Sequence, residues 1–359
     1  MNLNSKKFNN FKYIAQIFRK QSIELDRKNF YRFDRNERIS PIPNKFFNII
    51  KKNLISEYLT TYPNLKNLYH LISKKNKVGK ENIIITAGSD IAIKHCFELL
   101  VQKNDEVITI HPTYGMVDVY AKLFEAKQKK IFYKEELKLD VNLILSSINS
   151  KTKLIIIANP NSPTGTIISG KDLKKIFKKA DRMNSFVLID ECYFGFYNKT
   201  YIREIYKFKN LIISRSLSKA FGLAGCRIGY LASNSRTIKK LSKFRPMHEI
   251  SYFSAYVAEF FLKNDKIVSD YIKDAKDGSQ HFKKFLKKNN LNYHLSHPNF
   301  ILVDFNNNKN FKKIISIAKK NKVLIHGEPN LPGCKNFVKF TIGPKAYMKI
   351  IERLIANCI

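Results

Sequence analysis

The chain has 359 residues, 44% of them hydrophobic, which is enough for a core shared by two lobes and too apolar for a disordered chain. No apolar run reaches bilayer-spanning length and the stretch Met1 to Asn10 is polar, so neither a membrane span nor a secretion signal is expected and the location implied is cytoplasmic. The 65 Lys and Arg against 29 Asp and Glu give a formal charge of +36, a field that attracts polyanions, but the lysines are spread along the chain with no aromatic-interleaved basic block, which favours compositional bias over a specific nucleic-acid module.

In chain order, residues 1–45 read as an N-terminal arm, basic over its first thirty residues and at most amphipathic. Residues 46–250 read as one large domain and 251–359 as a smaller one, with no linker and no internal repeat between them. A rhythm of short β-branched runs begins near residue 80: Ile83 to Ile85, Val107 to Ile110, Leu154 to Ile157, Val187 to Ile189 and Leu211 to Ile213. Each run is apolar without alternation, as strands of a mostly parallel sheet buried on both faces are. Helical patterns separate them, at Ile91 to Gln102 and Gly170 to Met183. The expected architecture is α/β, a mostly parallel sheet covered by helices. Beyond residue 250 the pattern changes to helices (Ser254 to Phe261, Ile267 to Lys288) and two strand-like pieces (Phe300 to Phe305, Phe337 to Ile342), which predicts a smaller α+β lobe.

The five cysteines are scattered, odd in number and form no C-x-x-C pair, so neither a disulfide framework nor a zinc site is expected. His294 and His297 are close in sequence but lack a carboxylate or thiol to complete a ligand set; no metal is expected.

The residues that follow the apolar runs carry the chemistry. After Ile85 come Gly88-Ser89-Asp90 and a helix; after Ile110, Tyr114; after Ile157, Asn159-Pro-Asn161-Ser162-Pro-Thr-Gly165; after Ile189, Asp190-Glu191-Cys192-Tyr193; after Ile213, Ser214-Arg-Ser216-Leu-Ser218-Lys219. Polar and aromatic groups thus gather at the carboxyl ends of five strands, where open α/β sheets bind ligands. Ser216, Ser218 and Arg227 can hold a phosphate through hydroxyls and a guanidinium fork. The free N–H groups of a helix opened by Gly88-Ser89-Asp90 suit the same anion. Asp190, at the end of an apolar strand, needs a buried partner, and a protonated pyridine nitrogen would serve. Tyr114 could stack on a flat ring, or be an ordinary buried aromatic. A single lysine on a loop is unremarkable in so basic a chain; a lysine beside two serines, with an arginine eight residues on among glycines, is not.

These motifs resemble the fold-type-I pyridoxal-phosphate aminotransferases, most closely the histidinol-phosphate aminotransferase-like branch, over roughly residues 31–345. The resemblance implies the aspartate-aminotransferase-like fold, pyridoxal 5'-phosphate as cofactor, and amino transfer between an amino acid or an anionic, possibly phosphorylated, amine and a 2-oxo acid. By the same resemblance Lys219 is the Schiff-base lysine, Asp190 the partner of the pyridine nitrogen and Tyr193 the phenol on the ring hydroxyl. Ser216, Ser218 and Arg227 become phosphate ligands, with Gly88, Ser89 and Asp90, and Tyr114 the stacking ring. Tyr62, in Thr-Tyr-Pro, resembles the tyrosine that reaches a phosphate in the neighbouring subunit, which implies a homodimer.

Two positions depart from the family pattern. Asn usually stands immediately before Pro-Thr-Gly; here Ser162 does, preceded by Asn161, so either could meet the ring hydroxyl, or Tyr193 could do so alone. An arginine that grips the substrate's acid group is replaced by Lys339, a point charge without the fork. Arg35, Arg38 and Arg245 are the alternative anion holders. Two rival functions remain open on the sequence alone. One is decarboxylation of a phosphorylated amino acid on the same fold. The other is a non-catalytic ligand-sensing or nucleic-acid-binding role.

Overall fold

The computed structural model describes residues 26–294, 297–328, 331 and 335–359. Most of the basic segment expected as an arm or leading helix lies outside the described residues. Strands run in chain order from the short β1 (Tyr31–Arg32) through β2 (Ile83–Thr86), β3 (Glu106–His111), β4 (Lys127–Phe132), β5 (Thr152–Ala158), β6 (Phe186–Asp190), β7 (Leu211–Ser216) and β8 (Gly229–Ser233). They continue with β9 (Tyr293–His294), β10 (Phe300–Asp304), β11 (Val323–Leu324), β12 (His326–Glu328) and β13 (Phe337–Thr341).

The seven strands β2 to β8 form one sheet in the order β2-β8-β7-β6-β5-β3-β4. All pairs from β7 to β4 are parallel; β8 alone runs against its neighbours β7 and β2. The unbroken apolar runs follow from burial on both faces. Ile83, Ile85, Ile155, Ile157, Ile189 and Ile213 join one core, while Ile84, Leu154, Ile156, Leu188 and Ile212 join another across the sheet. Successive side chains of a strand point to opposite faces, so a strand between two cores cannot alternate in polarity. The edge strand β4 is lysine-rich and mostly exposed, which discourages edge-to-edge pairing. Helices cover both faces. The Gly170–Arg182 helix shows how: Ser169 Oγ caps it by accepting from Asp172 N at 3.2 Å. Leu173, Ile176, Phe177 and Ala180 then recur on its buried side, the spacing of one helix face.

The small lobe holds an antiparallel sheet in the order β12-β13-β10-β9, covered by the helices Asn308–Lys320 and Lys345–Ala356. The Asp265–Lys288 helix, 24 residues long, packs against the latter. The helix Tyr252–Lys263, expected with the small domain, instead packs on the large lobe: Tyr256 donates to Ile50 O at 3.1 Å and its ring stacks on Tyr58 at 4.7 Å. The segment expected as part of an arm also joins the body. β1 pairs in parallel with β11, Thr341 N donates to Phe33 O at 2.8 Å, and Asn36 N donates to Thr341 Oγ1 at 3.0 Å. Residues 33–38 are thereby laid along the small sheet where it faces the large one.

Candidate active site

A cavity of about 530 Å³ opens at the carboxyl ends of the large sheet's parallel strands. Its floor is built from the strand ends: Ser89 and Asp90 after β2, Tyr114 after β3, Ala158 and Ser162 at β5, Asp190, Cys192 and Tyr193 at β6, Ser216, Ser218 and Lys219 at β7. Arg227 closes the loop into β8. The opposite wall comes from residues 34–37 and from His326 and Lys339 on the small sheet.

Lys219 lies half-buried in this cavity and its Nζ donates to Arg35 O at 2.8 Å. Its pKa is lowered, chiefly by burial and further by the charges of Lys339 and Arg227, while Cys192 and Glu37 act the other way. Asp190 is 5% exposed, and its Oδ1 is buried without any hydrogen-bond partner. Burial pushes its carboxyl up to about 6. A carboxylate in that position is costly unless a cation or donor meets it. Tyr193 is fully packed, edge-on to Phe300 at 5.9 Å, and its hydroxyl accepts from Asn36 Nδ2 at 2.8 Å. Ser162 is a second hydrogen-bond partner of this hydroxyl, and burial keeps the phenol protonated, its pKa held far above its ordinary value.

An anion cradle lies at the other end of the floor. Gly88 has φ +88°, a backbone region that favours glycine, and a Cβ there would come 2.8 Å from Arg227 Nη2. A Cβ on Gly229 would come 2.6 Å from Gly88 C and 2.7 Å from Ser89 N. Two glycines therefore let the start of the Ser89–Leu100 helix, the β8 strand and the Arg227 guanidinium meet. The first N–H groups of that helix are not used within it, and the hydroxyls of Ser216 and Ser218 join them on the lining. Backbone N–H groups, hydroxyls and a guanidinium make a phosphate site. An orphaned buried carboxylate across the same cavity suits a cationic ring nitrogen. Together with an amine of lowered pKa, these groups fit pyridoxal phosphate.

The remaining candidates divide. Ser162 lines the cavity beside the Tyr193 hydroxyl. Asn161 does not line it: its amide donates to Pro112 O and Thr164 Oγ1, both at 2.8 Å, and its carbonyl accepts from Thr113 Oγ1 at 2.8 Å. The expectation of Asn161 as a cofactor contact is corrected by this, because both polar atoms of its side chain are taken up by its own loop and by the connection after β3. Arg35 is on the lining; Arg38 and Arg245 are not. Arg38 is buried with its guanidinium 4.2 Å above the Tyr271 ring, donating to Ser40 O and Pro41 O. Arg245 is ion-paired with Glu249, four residues along. Neither arginine lines this cavity, although Arg38 Nη1 is buried without a hydrogen-bond partner. Tyr62 lies outside this chain's cavity, 79% exposed and stacked on His248 at 4.1 Å, as a residue serving a neighbouring subunit would be. Lys339 is on the lining, 6% exposed, 5.8 Å from the Phe300 ring centre. Sequence reading missed Asn36, Cys192 and His326. Cys192 sits inside the motif after β6, and Asn36 stands next to the candidate Arg35. His326 has no sequence signal, and only the strand register sets it directly opposite Lys339.

Among the described residues no group of His, Cys, Asp and Glu could hold a metal, and no helix is long and apolar enough to cross a membrane.

A family model described as aminotransferase class I and II matches residues 29–355. A histidinol-phosphate aminotransferase of Clostridium novyi is 31% identical over 335 residues, covering 91% of this chain and 90% of its own. Among solved structures, the histidinol-phosphate aminotransferase of Clostridium acetobutylicum superposes with a TM-score of 0.80 at 22% identity, covering 91% of this chain and 98% of its own. The Sinorhizobium meliloti enzyme of the same name, solved with pyridoxal-5'-phosphate, gives 0.80 at 20% identity, covering 91% of each chain.

Proposed function

The chain belongs to the class I and II aminotransferases and is a pyridoxal-phosphate-dependent transaminase acting on an amino donor and a 2-oxo acid, and from that premise we propose that its donor is a phosphorylated amino alcohol of the histidinol-phosphate kind. The relatives' names do not favour the decarboxylase or the non-catalytic reading. The observation that carries the substrate reading is the wall opposite the cofactor floor. Lys339, His326 and Arg35 converge there from three separate segments, with Lys339 in place of the family's gripping arginine. Three such groups around one anion can share the three oxygens of a phosphate, where a planar carboxylate offers only two.

When bound, the cofactor supplies an electron sink for the carbanion formed at the donor carbon. The protein's own residues do the rest. Lys219 Nζ, its pKa lowered by burial, would supply the neutral amine that holds the cofactor's aldehyde. The same amine would be the base that takes the donor's α-proton and gives it back on the far side of the transferred nitrogen. Asp190 Oδ1 would hold the ring nitrogen in its protonated form. Tyr193, anchored by Asn36, would meet the ring hydroxyl with Ser162 beside it, and Tyr114 would pack on the ring. The cradle of Ser89, Asp90, Ser216, Ser218 and Arg227 would hold the phosphate. Donor and acceptor using the same site in turn predicts ping-pong kinetics.

A second copy of the chain completes this reading. Leu59, Tyr62 and Met247 are 73%, 79% and 85% exposed, and the segments that carry them touch through the Tyr62–His248 stack. Such an exposed apolar surface supports a homodimer in which Tyr62 reaches the partner's phosphate. The four described cysteines are unpaired, which supports a cytoplasmic setting.

The test is a donor screen read by the spectral change from the lysine-bound to the aminated cofactor. Histidinol phosphate should convert and free histidinol should not. Conversion of common amino acids with no gain from a phosphate would refute the substrate reading. Lys219→Ala should lose both turnover and covalent cofactor retention.

A further inference from the structure

The two acidic residues that end β6 are both buried, Asp190 at 5% and Glu191 at 2% exposure, yet they face different surroundings. Asp190 lines the cavity; Glu191 does not. Arg215, on β7 and 4% exposed, takes up Glu191. Its Nε and Nη2 each reach Glu191 Oε2 at 2.8 Å. Thr200 Oγ1 also donates to Oε2 at 2.8 Å, and Tyr201 N donates to Oε1 at 2.6 Å. Arg215 Nη2 reaches Thr200 Oγ1 at 2.7 Å, Nη1 reaches Asn76 Oδ1 at 3.4 Å, and the guanidinium lies 3.5 Å above the Phe194 ring. The pair is fully enclosed and hydrogen-bonded from two further segments, at Asn76 and at Thr200–Tyr201.

Its position in the chain gives it a consequence for the cavity. Arg215 stands between Ser214 and Ser216, on the strand that leads to Ser218 and Lys219; Glu191 stands between Asp190 and Cys192. Asp190 is the register partner of Ser214, and Glu191 N donates to Ser214 O at 2.9 Å. One ion pair behind the floor therefore ties the strand end carrying the ring-nitrogen partner to the strand end carrying the phosphate hydroxyls and the lysine. It also neutralises a carboxylate one residue from Asp190 that would otherwise repel that group's charge.

We propose that Arg215 is a positioning residue of the transamination site: by neutralising Glu191 behind the cavity floor it keeps Asp190 ionised for the cofactor's ring nitrogen. The inference rests on the reading of Asp190 as that partner. The other groups whose charge bears on Asp190 are Cys192 and Tyr193 on its own segment and Tyr114 from the end of β3. Lys219, from the connection after β7, acts on Cys192. None of these changes in the variants below.

The experiment measures the dissociation constant of pyridoxal phosphate for the dialysed protein across the acidic and neutral range, with circular dichroism as the fold control. Binding should weaken below the pH at which Asp190 protonates. Arg215→Met leaves Glu191 as an uncompensated buried anion, so that acidic limb should move up by about one pH unit, which is about a tenfold loss of affinity on the limb itself and about twofold at neutral pH. Glu191→Gln leaves the cation instead, and the limb should move down. The double variant Glu191→Gln/Arg215→Met has neither charge and should return close to the wild-type midpoint. Opposite shifts with restoration in the double are not expected of a pair that only stabilises the fold. Singles that shift alike, or a double no better than the worse single, would overturn the proposal. If Arg215→Met fails to fold, Glu191→Gln and the double variant still decide by the same criteria. An acidic limb unchanged in Asp190→Asn would instead overturn the assignment of Asp190 itself.

Discussion

In the cofactor-free protein Asp190 should make stability fall as pH rises, opposite to the usual effect of a carboxylate. Burial raises its pKa from 3.8 to about 6. The folded state therefore binds a proton that the unfolded state has already released. The stabilising contribution is fully present below the unfolded value and is lost as pH climbs through the folded one. The shift of about two units corresponds to about 3 kcal/mol in full, of which about 2 kcal/mol falls between about pH 4.5 and pH 7.5. Asp34 and Glu98 carry lowered values and give the opposite slope, so absolute stability is the wrong observable. The difference between wild type and Asp190→Asn cancels them. Urea unfolding of both apoproteins at the two pH values should show wild type losing about 2 kcal/mol relative to the variant on going to the higher pH. In melting temperature, for a chain of this length, that is a few degrees, roughly 3 °C. Saturating cofactor should remove the slope, because its cationic nitrogen then meets Oδ1. A pH-independent difference, or one of the opposite sign, would refute the argument that Asp190 is held in the cavity without a partner.

Four further outcomes separate roles within the site. Ser162→Ala should weaken cofactor binding by roughly 1 kcal/mol, whereas Asn161→Ala should chiefly lower the urea midpoint, costing about 1–3 kcal/mol of stability. Gly229→Ala drives a methyl against Gly88 and Ser89, so cofactor affinity in a fluorescence titration should fall by more than about tenfold while the circular dichroism spectrum persists. Lys339→Ala should raise the KM for the phosphorylated donor with a smaller change in kcat, while Arg38→Ala should lower the melting temperature and leave that KM in place. Mixing Lys219→Ala protein with Tyr62→Ala protein should recover activity above either alone, read in a coupled assay after subunit exchange, because one site of the hybrid dimer is then intact.

Much of the large lobe was legible because its strands are buried on both faces: Ile155 to Ile157 and Leu211 to Ile213 serve two cores at once, and nothing but a central strand asks for such a run. β4 and β8 were not legible. β4 is an edge strand rich in lysine, and β8 opens on a glycine demanded by close contact with Gly88; neither needs β-branched residues. The cofactor floor was legible for a related reason, since its groups follow the strands in sequence. The arginines were not. Arg35, Arg38 and Arg245 are equal candidates in sequence, and only their neighbours decide: an aromatic ring under Arg38, a carboxylate one turn from Arg245, an open cavity beside Arg35. Asn161 and Ser162 are likewise told apart only by their neighbours: Asn161 is tied to Pro112, Thr113 and Thr164, while Ser162 faces the cavity.

The cavity's two walls differ in origin, and that bears on how the reaction is controlled. The floor belongs to the large sheet. The opposite wall belongs to residues 34–37 and the small sheet, and the two are linked by Asn36 to Tyr193 and by Lys219 to Arg35 O. On the role proposed for Lys219 the second link must break, because Nζ would leave Arg35 O to hold the cofactor. Cofactor binding would then release a bond between the wall and the floor, while Asn36, tied to Thr341 and to Asn299 by its backbone, keeps the wall in register. Loss of Asn36 in an Asn36→Ala variant should thus affect the substrate end and the Tyr193 hydroxyl together, raising KM and shifting the absorption of the bound cofactor. A variant that altered only one of the two would show that wall and floor act independently.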